Sequence, residues 1–212
     1  METYKTDEEQ IEAVKQWWKE NGLPIVLGLV IGLGGIFGWR GWQAWEQSQA
    51  QAASEIYQDL INDMREKNAD GVRKGAQQLL NDYPSTAYAV YAALNLASLA
   101  VQESEFETAR KHLEYARDHA TGRELRLLAE LRLARVMVAE GNEDEALALI
   151  SGRDFGALSG IADELRGDIL ASKGDRQAAM EAYSSALAMA SPDSEEYELL
   201  SLKRDSVSLS AN

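Results

Sequence analysis

The sequence predicts an all-α protein: one N-terminal transmembrane helix followed by an α-solenoid of stacked helix pairs. Three observations predict it. An uncharged run of seventeen residues, Leu23 to Trp39, lies near the N-terminus. All five tryptophans fall between positions 17 and 45, bracketing that run. Beyond it, helical spacing of apolar residues recurs at a fixed period. Three prolines in 212 residues and a hydrophobic fraction of 45% suit helices over loop-rich or β architectures.

The leader, residues 1–22, is acidic, with Glu2, Asp7, Glu8, Glu9, Glu12 and Glu20 against Lys5, Lys15 and Lys19. Thr6-x-x-Glu9 fits a capping box. Ile11, Val14, Trp17 and Trp18 share one helical face, so the leader reads as a short interfacial helix that Asn21-Gly22 can end. Pro24 suits the first turn of the next helix.

Residues 23–42 form the predicted transmembrane helix, the segment in contact with the lipid bilayer. Seventeen residues span roughly 25 Å as a helix, just short of a hydrocarbon core. Indoles on both borders, with Lys19 and Arg40 snorkelling, supply the rest. A cleaved signal peptide would need a basic start and an Ala-x-Ala-like site. Here the leader is acidic and Trp39-Arg40-Gly41-Trp42 follows the run, so the segment is a retained anchor. Three lysines precede it and only Arg40 follows before Arg65, which favours a cytoplasmic N-terminus. Gly28-x-x-x-Gly32 and Gly34-x-x-x-Gly38 are the candidate contacts for another transmembrane helix, since small residues four apart let backbones approach.

Residues 43–83 read as a helical connector, with a stripe from Ala53 through Ile56, Tyr57, Leu60, Ile61 and Met64 and a second helix from Asp70 to Asp82. Residues 84–212 carry the repeats. Twelve residues separate Ala97 from Ala109, Ala134 from Ala146 and Gly167 from Ala179, and the unit recurs after 37 and then 33 residues. Small residues at these positions let two antiparallel helices cross closely. This pattern resembles the tetratricopeptide repeat, with Ser104 standing where glycine usually turns the chain and Glu195 to Leu209 left as a capping helix.

Chemistry is sparse. A net charge of −14 disfavours nucleic acid as a partner, and no cysteine is available for thiolate metal sites or nucleophilic catalysis. His112 and His119, seven apart on one helix, are separated by about 10 Å along its axis, too far to share a metal ion. They read as solvated surface residues. The carboxylates Glu143-Asp144-Glu145 fit a helix start. No catalytic, cofactor or metal site is expected, and the chain is not expected to be an enzyme. Binding remains. Counted from the small residue of each unit, Tyr91, Leu94, Leu128, Arg135, Glu164 and Asp168 are candidates to line a groove formed by the first helices. Arg135 stands nearly alone there, so a basic clamp for a terminal carboxylate is not evident.

The whole pattern is similar to the YfgM family, ancillary subunits of the bacterial SecYEG translocon. The likeness rests on Glu12-Ala13-Val14-Lys15, Glu20-Asn21-Gly22, Gly38-Trp39-Arg40, Leu131-Arg132-Leu133-Ala134-Arg135-Val136, Leu165-Arg166-Gly167 and Ser172-Lys173-Gly174-Asp175. It runs from about residue 8 to 190 and is weak between Ala44 and Tyr83. It implies a single-pass inner-membrane protein with cytoplasmic N-terminus and periplasmic repeats. The implied partners are SecYEG and the periplasmic chaperone PpiD, and the implied role is passing newly translocated chains to periplasmic chaperones. The acidic leader leaves a second role open: tethering, and so negatively regulating, a cytosolic stress-response regulator.

Overall fold

The computed structural model describes residues 7–209. Thr6, and with it the capping box, lies outside them. The described residues are helical throughout, joined by short turns. In chain order the helices are α1 (Asp7–Arg65), α2 (Ala69–Asp82), α3 (Ala87–Gln102), α4 (Phe106–His119), α5 (Arg123–Ala139), α6 (Glu143–Ile150), α7 (Ser159–Ser172), α8 (Arg176–Leu187) and α9 (Glu195–Leu209). A 3-10 turn at Gly156–Leu158 precedes α7. Two compact units result, one up to Gln49 and one from Ala50.

The first unit corrects one expectation. No break occurs at Asn21-Gly22; α1 runs through both and through Pro24. Pro24 brings no N–H to the ladder. One turn earlier, the Asn21 side-chain amide folds back and donates to the Trp17 carbonyl at 3.0 Å. Gly22 is a seat and not a stop: a Cβ there would stand 3.1–3.3 Å from the Trp18 indole, which covers it. Through the apolar run the large side chains point outward, unlike those of a buried core helix. The helix is long and apolar enough to cross a membrane.

The second unit is a helix-pair solenoid, and it starts earlier than expected. Residues 43–83 are not a mere connector, because the end of α1 and α2 form a pair of the same build as α3/α4, α5/α6 and α7/α8. One backbone device makes all four pairs. The first helix ends in a left-handed residue, Lys67 (φ 58°), Ser104 (φ 62°), Gly141 (φ 81°) or Gly174 (φ 81°). The following N–H then reaches back five residues to a carbonyl: Asn68 to Asp63, Glu105 to Ala100, Asn142 to Met137 and Asp175 to Leu170, all at 2.8–2.9 Å. That same residue starts the second helix. Asn68 and Asp175 also accept, through their side chains, from the N–H groups of Gly71 and Ala178.

Ser104 therefore occupies the position the repeat pattern assigned to glycine, at a steric cost. Ser104→Gly is expected to stabilise the chain by about 0.5–1 kcal/mol, raising Tm by a few degrees in a thermal melt.

Packing follows from pairing a small residue with a large one at the crossing. Gly167 lies against the Tyr183 ring. By register, Ala97 matches Leu113 and Ala134 matches Ile150, all buried. In the first pair the sizes are exchanged, with Leu60 opposite Ala76 and Leu60 also against Gly75. The third pair is short. α6 stops at Ile150, and the chain then folds back so that Phe155 is buried in the core shared by α3 to α7. This loop is held by Arg123, which donates to the Asp154 carboxylate at 2.8 Å, and by Arg153 against Glu130. The expected helix from Glu195 to Leu209 closes the array as α9, burying Leu200 against α8.

Candidate functional site

In the first unit the site is a helix surface. A Cβ at Gly28, Gly32, Gly34 or Gly38 would meet nothing within 4 Å, so the backbone is open at each. At 3.6 residues per turn the two pairs face directions roughly 120° apart. Gly35 joins the first pair and Gly41 the second, each extending its stripe by one turn, and both are open as well. The helix thus offers two small-residue faces, which the spacing of single motifs did not reveal.

In the second unit the candidate groove residues separate into three places. Leu94 and Arg135 line one cleft of about 250 Å³ between α3 and α5, with Ala97, Val101, Phe106 and Val136. Leu94 itself is core at its floor. Arg135 does not stand alone, because Arg132, one turn earlier on α5, lines the same cleft. Tyr91 and Leu128 line a second cleft of about 500 Å³ with Phe155 and Leu158. Tyr91 also belongs to a three-tyrosine cluster, its ring 5.8 Å from Tyr57 and 6.3 Å from Tyr88. Such offset and edge contacts are favourable for aromatic pairs.

Glu164 and Asp168 do not join either cleft. Lys203 of α9 donates to Glu164 at 2.7 Å and to both Asp168 oxygens at 2.8–2.9 Å, while the Tyr183 hydroxyl donates to Asp168 at 2.8 Å. Burial and the Asp168 carboxylate together hold the Tyr183 hydroxyl well above the ordinary phenol range. These two carboxylates fasten the last helix and are satisfied by it.

The histidines differ from each other. His119 is exposed, stacked on Tyr115 with ring centroids 4.0 Å apart. His112 is half-buried beside Leu96 and Leu99, and burial lowers its pKa below the ordinary 6.5, so it is not the solvated residue expected. As pH falls through 6.5 the unfolded chain takes the proton first, so His112 destabilises the fold in acid and is silent above. His112→Gln should therefore flatten the fall in Tm between about pH 7.5 and 5.5, read from melts of both proteins across that range.

Comparison with known proteins bears on this arrangement. The family described as tetratricopeptide repeat-like domain matches residues 15–209. The ancillary SecYEG translocon subunit of Haemophilus influenzae is 34% identical over 187 residues, covering 86% of this chain and 90% of that protein. Its counterpart from Escherichia coli strain K12 is 32% identical and covers 86% and 88%. The chain belongs to the family of ancillary SecYEG translocon subunits. The resemblance read from the sequence is thereby upheld, and the tetratricopeptide repeat-like family match spans both the apolar helix and the solenoid. A likeness of fold alone links the chain to the crystal structure of MamA protein, with a TM-score of 0.57 at 15% identity over 74% of this chain and 86% of that one. Family membership and the outward-facing apolar helix fit an inner-membrane protein carrying a tetratricopeptide-like scaffold.

Proposed function

We propose that this protein is a membrane-anchored, non-catalytic docking scaffold at the Sec translocon. Its solenoid passes newly translocated proteins to periplasmic chaperones, with PpiD as the chaperone partner. The observation that carries this reading is similarity along most of the chain to proteins named ancillary SecYEG translocon subunits. Three lysines before the span and one arginine just after it support a cytoplasmic N-terminus and a periplasmic solenoid. Anchoring confines the solenoid to the membrane surface and so raises its effective concentration near emerging chains. The two glycine faces of α1 give the anchor two sides for contact with channel helices.

The test is co-purification in mild detergent of the intact chain and of a variant whose residues 23–39 are replaced by polyleucine. Channel subunits and a periplasmic chaperone should accompany the intact chain, and the channel should be lost from the variant. Recovery of neither partner, or of cytosolic proteins only, would refute the scaffold. Deleting residues 2–21 should spare channel association. Recovery of a cytosolic regulator with the intact chain and its loss on this deletion, channel association being kept, would favour the leader as a regulatory tether.

A further inference from the structure

The cleft between α3 and α5 has a chemistry that its neighbours lack. Its floor is apolar, built from Leu94, Ala97, Val101, Phe106 and Val136, and Val101 remains 41% exposed although it is a large aliphatic residue beside the core. Its rim carries Arg132 and Arg135, both exposed. Several arginines of the solenoid sit against carboxylates, as Arg110 does with Glu140 at 2.7 Å, Arg123 with Asp154 at 2.8 Å and Arg166 with Asp163 at 3.0 Å. Arg65, Arg126 and Arg176 are, like the rim pair, outside such contacts but line no apolar cleft with a second arginine. Arg132 and Arg135 have no carboxylate within 4.0 Å among the described residues. In a chain with 35 acidic and 21 basic residues, two adjacent guanidiniums left without a carboxylate beside an apolar floor are unusual.

We propose that this cleft binds an internal segment of another polypeptide in which apolar side chains alternate with aspartate or glutamate. The inference rests on the docking reading above and names what the scaffold selects. The apolar side chains would cover Val101 and Phe106, and the carboxylates would meet the two arginines, whose planar forks match carboxylate geometry. Arg132 and Arg135 are one turn apart, about 5–6 Å between Cβ atoms. Side chains two apart on an extended strand are separated by about 6.5–7 Å, so one segment can serve both arginines. A chain terminus brings a single carboxylate and leaves one guanidinium unmatched.

The test uses the full chain in phosphatidylcholine nanodiscs and fluorescein-labelled peptides of alternating leucine and glutamate, acetylated and amidated to remove terminal charges. Anisotropy titrations compare this peptide with matched peptides carrying glutamine or lysine in place of glutamate. The glutamate peptide should bind at least about tenfold more tightly than either, the loss expected when charge-assisted hydrogen bonds are removed. R132Q/R135Q should abolish that preference while leaving the melting profile and the weak glutamine-peptide binding unchanged. A second variant, V101N, which makes the floor polar without adding charge, should weaken the glutamate and glutamine peptides alike. Equal binding of the lysine peptide, an unchanged preference in R132Q/R135Q, or binding only by a peptide with a free C-terminal carboxylate would overturn the proposal. Co-purification with the channel is read separately. A scaffold that keeps its channel but ignores these peptides leaves the docking role standing and removes only the selectivity.

Discussion

Gly167→Ala is expected to destabilise the protein, although alanine is the better helix former by about 1 kcal/mol. The added Cβ would stand 2.6 Å from two carbons of the Tyr183 ring. That ring has little freedom to move. It is 3% exposed, and its hydroxyl is tied to Asp168, which Lys203 holds from the other side. Overpacking of this kind costs about 1–3 kcal/mol, so the propensity gain is outweighed and Tm should fall by several degrees. The register of the solenoid supplies a rescue. The second helix pair sets Ala97 opposite Leu113, a combination that Gly167→Ala with Tyr183→Leu recreates in the fourth. Tyr183→Leu alone loses the hydroxyl contact and leaves space over the glycine. The double variant should therefore be less destabilised than the sum of the two, by about 1 kcal/mol or more in a double-mutant cycle of thermal melts. Additive losses would mean that Gly167 and Tyr183 do not share the close contact.

The same size rule explains how far the sequence could be read. Ala97, Ala134 and Gly167 are visible because small residues on the first helix mark the crossings, and their spacing places three of the four pairs. The pair formed by the end of α1 and α2 is hidden because Leu60 and Ala76 exchange the sizes and because Lys67, a residue that advertises no turn, takes the left-handed position. Asn21-Gly22-Pro24 reads as punctuation by local rules. The helix nevertheless continues, with an indole over Gly22 and the Asn21 side-chain amide turned back onto the Trp17 carbonyl within the helix. Glu164 and Asp168 look like a free acidic face until Lys203, 39 and 35 residues further on, closes over them. No local spacing announces such a contact. The cleft between α3 and α5 is half legible: the repeat register points to Leu94 and Arg135, whereas Arg132 enters only through its i, i+3 spacing from Arg135.

Arg153→Met is expected to be among the more damaging single changes in the solenoid. Glu130 is 4% exposed, and its carboxylate meets Arg153 through Oε2 at 2.9 Å and Oε1 at 3.1 Å. The Oε2 contact lacks hydrogen-bond geometry and is chiefly an attraction between charges. Methionine keeps much of the apolar stem and removes the guanidinium, leaving a carboxylate buried on α5 with no cation in contact and only the more distant Arg117 to offset its charge. Removing one partner of a fully buried pair costs about 3–5 kcal/mol. The Arg153 side chain is 42% exposed, so water already screens the pair and a loss of about 1–3 kcal/mol is expected. The loss should be regional as well as global. Arg153 lies in the loop that carries Phe155 into the core, so amide exchange should quicken between Ser151 and Leu158 before the rest of the solenoid responds. Adding Glu130→Leu to Arg153→Met removes the stranded charge and should recover most of the stability, because an apolar pair of similar volume replaces an ion pair at little cost. Glu130→Leu alone should be milder than Arg153→Met, since the guanidinium it frees can reach solvent. The reverse order in urea melts of the three variants would show that Arg153 acts through packing of its stem, and that the charge on Glu130 is satisfied without it.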